Sequence, residues 1–235
     1  MSLGVPHLHL AAIGSTNERA RALAEHGAPH GTVVSADVQT AGRGRQGRLW
    51  RSPPGSLAQS YVLRLPAERV TLLPLAAAVA VAELCGAQAR VKWPNDVWLD
   101  DARPPRKVAG ILVESRGGRA GLDWQVLGIG INVALRPEDL GEDGARAATL
   151  GADPAELPAW RDRLTAALAD VLARDPADVL GAWRARDGLR GRPVAWEGGT
   201  GTAAGIDDDG RLLVELADGT TTALSAGEVH LSATT

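Results

Sequence analysis

The chain contains only two lysines, Lys92 and Lys107, in a Lys+Arg total of 25. Arginine, with its broad planar fork, does not replace lysine where a compact ammonium is needed, so these two positions are candidates for chemistry. Both sit in clusters. Lys92-Trp93-Pro94-Asn95-Asp96 carries one of three asparagines, the others being Asn17 and Asn132. Pro94 fixes its own φ and keeps Trp93 extended, which breaks a strand at a set point and turns Asn95 and Asp96 sideways. Lys107 opens the apolar run Lys107-Val-Ala-Gly-Ile-Leu-Val-Glu114, placing its ammonium at a strand end. Taken singly, each of these is also explained as a capped turn or a lysine stem lying along apolar surface.

A second cluster is Gly42-Arg43-Gly44-Arg45-Gln46-Gly47-Arg48, with Trp50 and Arg51 just beyond. It contains G-x-G-x-x-G, the pattern of a dinucleotide-binding turn, which requires a helix to begin inside the motif and hold a pyrophosphate on its amides. Pro53-Pro54-Gly55 follows instead, and no acidic residue stands at a strand end about 20 residues on, so that reading is rejected. What remains is a glycine-rich loop with four arginines, suited to a polyphosphate or acyl phosphate. A third cluster, Gly128-Ile129-Gly130-Ile131-Asn132, puts glycines inside a strand, where they weaken it unless a ligand or a bulge needs the space. Asn132, at its end, offers both a donor and an acceptor.

The elements that must position these clusters read as follows. Residues 7–14 alternate as a short strand, and Ser15 with Glu18 forms a capping-box pattern ahead of a helix over Glu18–His26. Strands are expected at Thr32–Val38, Leu57–Leu65, Arg90–Trp93 and Asp96–Leu99. Lys107–Glu114 and Trp124–Val133, with a turn at 116–121, suggest a hairpin. Leu72–Leu84 is an apolar helix, and helices also fit Trp160–Ala173 and Ala177–Arg186. From Arg192 onward only short strands remain (192–197, 201–206, 211–216, 220–224 and 228–231), which suggests a small barrel after a boundary near Gly188–Gly191.

Composition bounds the function. With 235 residues and 45% hydrophobic content the chain can bury a sizeable core. A net charge of −3 argues against a binder of DNA or RNA working through phosphate neutralisation. No stretch is apolar for long enough to cross a bilayer, and MSLGVPHLHL lacks the form of a secretory signal, so a cytoplasmic protein is expected. The single cysteine, Cys85, excludes an internal disulfide and a cysteine-based zinc site, and its apolar setting makes a thioester route unattractive.

Ser15-Thr16-Asn17, Gln39 with the GRGRQGR loop, KWPND, KVAGILVE and GIGIN stand in the order and spacing of biotin protein ligases, and from about residue 8 to 135 the chain resembles that family. The C-terminal segment, with Gly205-Ile206, Asp209-Gly210 and Gly227-Glu228-Val229, resembles the family's SH3-like module. One departure follows Gly55, where Asn-Leu-Tyr is common in the family and Ser56-Leu57-Ala58 stands here, read as an aromatic-poor sheet edge. The resemblance implies an α+β fold: a mixed-sheet catalytic domain like that of class II aminoacyl-tRNA synthetases over residues 1–187, then an SH3-like β-barrel over 188–235. The chain resembles the ligase-only type, without an N-terminal DNA-binding domain.

The resemblance also implies the chemistry. Biotin and ATP would form biotinyl-5′-AMP and pyrophosphate, and a lysine of a biotin carboxyl carrier protein, of acetyl-CoA carboxylase or a related carboxylase, would take the biotin with release of AMP. Mg2+ would accompany ATP; its protein ligands are not identifiable. Biotin would be bound by Ser15, Thr16, Asn17, Gln39, Gly42, Arg43, Gly44, Arg45, Lys107 and Gly110. ATP would be bound by Arg43, Arg48, Trp50, Lys92, Asn95, Asp96, Lys107 and Asn132. Arg43, Arg45 and Lys107 would be catalytic, Lys107 beside the α-phosphate and the anhydride carbonyl. Asp96 would lie near the incoming lysine or a magnesium ion. The barrel, lacking a convergent set of Lys, Asn or Gln, would serve the nucleotide side or the acceptor. The family pattern allows a monomer or a side-by-side homodimer. Competing readings are a lipoate or octanoate ligase on the same fold and a non-catalytic regulator that binds biotin or nucleotide.

Overall fold

The computed structural model describes residues 3–100, 104–118 and 121–232. In chain order the first elements are β1 (His7–Ile13), α1 (Thr16–Glu25), β2 (Val33–Gln39), β3 (Ser56–Leu63), α2 (Ala67–Val70) and α3 (Leu73–Cys85). They are followed by β4 (Ala89–Lys92), β5 (Asp96–Leu99), β6 (Arg106–Gly118), β7 (Gly121–Asn132), α4 (Leu157–Ala173) and α5 (Pro176–Ala185). Five short strands close the chain: β8 (Pro193–Trp196), β9 (Gly199–Ile206), β10 (Leu212–Glu215), β11 (Thr221–Leu224) and β12 (His230–Leu231).

The first seven strands make one mixed sheet in the order β1-β2-β3-β7-β6-β5-β4, with β1 and β2 parallel and the other pairs antiparallel. Alternation along the strands divides its two faces. Leu57, Tyr61, Ala109, Ile111, Leu127, Ile129 and Ile131 point to the α3–α4 side and form the main core with Val79, Leu164 and Leu168. The opposite face carries a smaller cluster, Val34, Val62, Trp124 and Val126, roofed by Ala20 and Ala24 of α1. Because α1 lies mainly over β2, β3 and β7 and reaches β6 only at Glu114, most of the β7-β6-β5 part of this face stays open.

The helix α3 has apolar residues on every side, and nine of its residues are buried, since α4, α5 and the sheet all pack on it. Ser15 caps α1, its hydroxyl accepting from the Glu18 amide at 3.5 Å as the capping pattern requires.

Two readings change. Pro94-Asn95 does not interrupt one strand. β4 and β5 are antiparallel partners, Lys92 opposite Asp96, so the chain reverses at Trp93–Asn95. Ser56–Ala58 does not lie on a sheet edge: β3 runs between β2 and β7, and all eight of its residues are buried. An extra tyrosine ring at position 58 is not needed there, because Ala58 faces Ala36 on one side and Gly130 on the other, in a row of small residues. Of the turn expected at 116–121, residues 119 and 120 lie outside the described residues.

The C-terminal strands form an antiparallel sheet in the order β11-β10-β9-β8-β12. Its apolar face (Val194, Ala203, Ile206, Leu212, Val214, Val229) is continuous with the main core through Trp183 and Leu189. The junction is fixed by the Gly188 amide donating to the Val91 carbonyl at 2.8 Å, and by Asp187, which accepts from the Leu189 and Arg190 amides at 2.8 and 3.2 Å. The Trp93 indole donates to the Gly210 carbonyl at 3.0 Å, tying the KWPND turn to the small sheet. Among the described residues no helix is long and apolar enough to cross a membrane.

Candidate active site

The open part of the sheet forms the floor of a cleft of about 980 Å3. One row of register partners crosses it: Lys92, Asp96, Gly110, Gly130, Ala58 and Ala36. The next row contains Leu112, Gly128 and Ser60. The middle of the floor is therefore bare backbone. A side chain at 130 would collide with the Trp50 indole, and one at 128 with the Asn17 amide. These glycines answer to close approach by two other side chains, which is the physical reason for glycine in the middle of a strand.

One end of the cleft is small and polar. The Thr16 amide and hydroxyl both donate to Gln39 Oε1, at 2.8 and 3.0 Å, and Gln39 Nε2 donates to the Ser52 hydroxyl at 3.0 Å. The buried Ser60 hydroxyl lies 2.8 Å from Thr16 Oγ1 and 2.7 Å from Asn17 Oδ1. Asn17 Nδ2 donates to Glu114 Oε2 at 3.0 Å. Ser15, Thr16, Asn17 and Gln39 converge because β1 and β2 run parallel and end side by side, Ile13 beside Gln39, before α1 begins.

The other end is cationic. Lys107 Nζ lies 2.6 Å from Asp96 Oδ1, and Lys92 Nζ lies 3.6 Å from Asp96 Oδ2. Each ammonium also faces an indole: Lys107 sits 5.2 Å from the Trp50 ring centre and Lys92 5.5 Å from that of Trp98. Burial holds the Lys92 amine below the ordinary lysine range, with Asp96 opposing that shift and Lys107 adding to it. Arg45 extends this end, donating to Asn95 Oδ1 at 3.0 Å and to the Gly227 carbonyl at 3.2 Å.

The loop between β2 and β3 folds over the floor as an irregular hairpin, with bridges Gln39–Ser52 and Arg43–Leu49 and the Trp50 amide donating to the Gly42 carbonyl at 2.9 Å. No helix follows the glycines beyond a single short turn at Arg45–Gly47. All four loop arginines have partners. Arg43 pairs with Glu18, Arg48 with Glu228, and Arg51 with Asp143 at 3.3 Å, while Arg45 is held as above.

Of the residues singled out in the sequence, Ser15, Thr16, Asn17, Gln39, Arg43, Gly44, Arg45, Arg48, Trp50, Lys92, Asn95, Asp96, Lys107, Gly110 and Asn132 all line the cleft. Gly42 lines a smaller neighbouring cavity behind the loop, where its backbone lies against the Trp50 carbonyl and the Gln39 side chain. Asn132 is buried, and its amide is spent on the Ala148 carbonyl at 2.9 Å. Cys85 lies away from the cleft, its thiol pushed up to about 12 by burial. Sequence reasoning gave no role to Ser60, Trp98 or Glu114, or to the carboxylates of Asp143 and Glu228, and it read Glu18 as the acid of a capping box, whereas its carboxylate pairs with Arg43. Alternation with Gly128 and Leu112 would have placed Ser60 and Glu114 on the open face; nothing local marks the arginine partners.

Among the described residues no group of three or more His, Cys, Asp or Glu side chains converges to hold a metal. Asp96 does not fit as a metal ligand in this arrangement, because both of its oxygens face ammonium groups.

The sequence matches the biotin/lipoate A/B protein ligase family over residues 10–132 and the biotin protein ligase C-terminal domain over 191–232. It is 38% identical over 230 residues to the biotin–[acetyl-CoA-carboxylase] ligase of Paracoccus denitrificans, covering 87% of this chain and 92% of that one. The fold is similar to the biotin protein ligase of Aquifex aeolicus solved in complex with biotin and ATP, with TM-score 0.73 and 28% identity over 96% of this chain and 99% of the other. It is also similar to the Leishmania major ligase in complex with biotinyl-5-AMP, with TM-score 0.62 and 26% identity over 94% and 98%. With its cleft-bearing sheet and its C-terminal sheet each matched, the chain belongs to the biotin protein ligase family.

Proposed function

We propose that the protein attaches biotin to a lysine of a biotin carboxyl carrier domain by way of biotinyl-5′-AMP. The observation that carries this is the cleft's polarity: a compact hydrogen-bonding end built from Ser15–Asn17 and Gln39 is joined by the Gly128–Gly130 floor to an end holding Lys92, Lys107 and Arg45. A bicyclic ureido head needs paired donors and acceptors in a small pocket, and its carboxylate and the ATP phosphates need cations, in that order along one ligand. The relatives support the substrates, since one is named for acetyl-CoA carboxylase and one was solved with biotin and ATP.

In the first step a biotin carboxylate oxygen attacks the α-phosphorus and the bond to pyrophosphate breaks. Lys107 and Arg45 meet the charge that builds on the phosphoryl oxygens, and Lys92 the charge on the departing side. In the second step the acceptor amine attacks the anhydride carbonyl carbon, the bond to the AMP oxygen breaks, and the amine proton leaves. Lys107, held by Asp96, stabilises the oxyanion. Trp50 and the loop that carries it keep water from the anhydride. Mg2+ enters with ATP as part of the substrate, and the described residues offer it no cage of their own.

The test is mass spectrometry of an apo carrier domain after incubation with the protein, biotin and Mg-ATP. A biotin adduct on one lysine, absent when that lysine is replaced by arginine, is expected. An unmodified carrier domain would refute the proposal.

A further inference from the structure

Glu114 belongs to none of the groups assigned above, yet it is bonded to one of them. It lies on the cleft face of β6, two residues beyond Leu112, and its carboxylate is half-buried. Asn17 and Arg21 are four apart on α1 and both turn to it: Asn17 Nδ2 donates to Oε2 at 3.0 Å, and Arg21 approaches Oε1 at 3.8 Å. On its other side the Asn17 carbonyl oxygen receives the Ser60 hydroxyl at 2.7 Å and occupies the hollow left by Gly128. A carboxylate only accepts, so Glu114 fixes which way the Asn17 amide points. Without it the amide can turn over, because Ser60 can accept as well as donate.

We propose that Glu114 is a positioning residue for the biotin pocket, holding the Asn17 amide with its carbonyl oxygen over Gly128 so that the pocket presents an acceptor there to the ligand's N–H groups. The inference rests on the proposed placement of biotin beside Asn17. The alternative is a clamp of α1 on β6 with no bearing on ligand choice.

The two are separated by steady-state kinetics on the full chain, with biotin and ATP varied independently. Glu114→Leu is expected to raise KM for biotin by about tenfold while leaving KM for ATP within about twofold. Glu114→Gln keeps an acceptor oxygen for Asn17 Nδ2 and is expected to recover most of that loss. In a cycle with Asn17→Ala, the double variant Asn17→Ala/Glu114→Leu should be no worse for biotin than Asn17→Ala alone. Additive losses, equal losses in Leu and Gln, or a rise in both KM values would each overturn the proposal. A normal biotin KM in Asn17→Ala would instead overturn the placement of biotin, and with it the role of Glu114. Thermal unfolding of Glu114→Leu close to that of the parent is the accompanying expectation; where it unfolds early, Ser60→Ala replaces it in the cycle, with the same non-additive result expected and additivity overturning the proposal.

Discussion

Asp96 and Lys107 form an ion pair on the cleft floor, 2.6 Å apart, with Lys92 on the same carboxylate at 3.6 Å. Two ammonium groups are thereby held near one point by a single acid. Removing one partner of such a partly buried set leaves like charges facing each other, which costs more than the pair itself contributes. Asp96→Asn is therefore expected to lower kcat/KM for ligation by about tenfold or more, with folding retained. Activity within twofold of the parent would show that the lysines hold their positions without it.

Lys92 supplies the pH dependence. Its folded pKa lies below the ordinary value of 10.5 because the amine is buried. The charged form is thus disfavoured in the folded protein, and its cost to stability is relieved as pH rises through the lowered value. Activity moves the other way: the cation is lost over that same range, beneath the pH at which a free lysine deprotonates. kcat/KM should fall on that limb, and Lys92→Arg, though less active at neutral pH, should lack it. An identical limb in both proteins would assign the titration elsewhere.

Gly130 carries the Trp50 indole against the floor. Gly130→Ala pushes the ring away, since a methyl group there would occupy its place. Loss of the lid on the anhydride is the expected result: faster release of biotinyl-5′-AMP to solvent and more ATP consumed per biotin transferred, measured as the ratio of pyrophosphate to ligated carrier. A ratio unchanged from the parent would remove Trp50 from that role.

Internal carboxylates hold the loop. Arg48 pairs with Glu228 and Arg43 with Glu18, so under the proposed function the ATP phosphates would have to compete with these acids for the guanidinium groups. Glu228→Gln should speed tryptic cleavage within Arg43–Arg51 when ligand is absent, while biotin with ATP should protect both proteins. Cleavage at one rate in parent and variant would mean that the small sheet does not steady the loop.

The junction gives a stability test. Asp187 accepts two backbone amides, and burial holds its carboxyl above the ordinary range. Its raised folded pKa means that the protonated form is favoured on folding; this contribution is full below the unfolded value and is lost as pH rises through the folded one. Asp187→Asn keeps the acceptor without the charge and should be neutral or stabilising at pH 7, whereas Asp187→Ala should cost about 1–2 kcal/mol. Calorimetry of both variants checks the order.

How much of this was legible depended on distance along the chain. Strand and helix spans followed from alternation and capping, as at Ser15–Glu18, because those signals are local. The lysines and the glycine strand marked the floor, since their residue types are costly unless something needs them. The reversal at Trp93–Asn95 was missed because proline before asparagine disfavours a continuing strand without saying where the chain goes next. The hydrogen bond from the Trp93 indole to the Gly210 carbonyl, over a hundred residues away, is part of what settles it. The arginine partners were hidden for the same reason. Four arginines in a loop read as an open anion site, while Glu18, Asp143 and Glu228 reach them only once α1, the 137–146 segment and the turn before β12 are folded against the loop.

The most direct measurement is pyrophosphate release from ATP with the carrier domain omitted, comparing biotin with lipoate. One rapid equivalent of pyrophosphate per protein with biotin, then a slow rate set by escape of the anhydride, and no burst with lipoate, is the result expected from a cleft that activates biotin and keeps the product covered. A burst with lipoate instead of biotin, or none with either, would contradict the account.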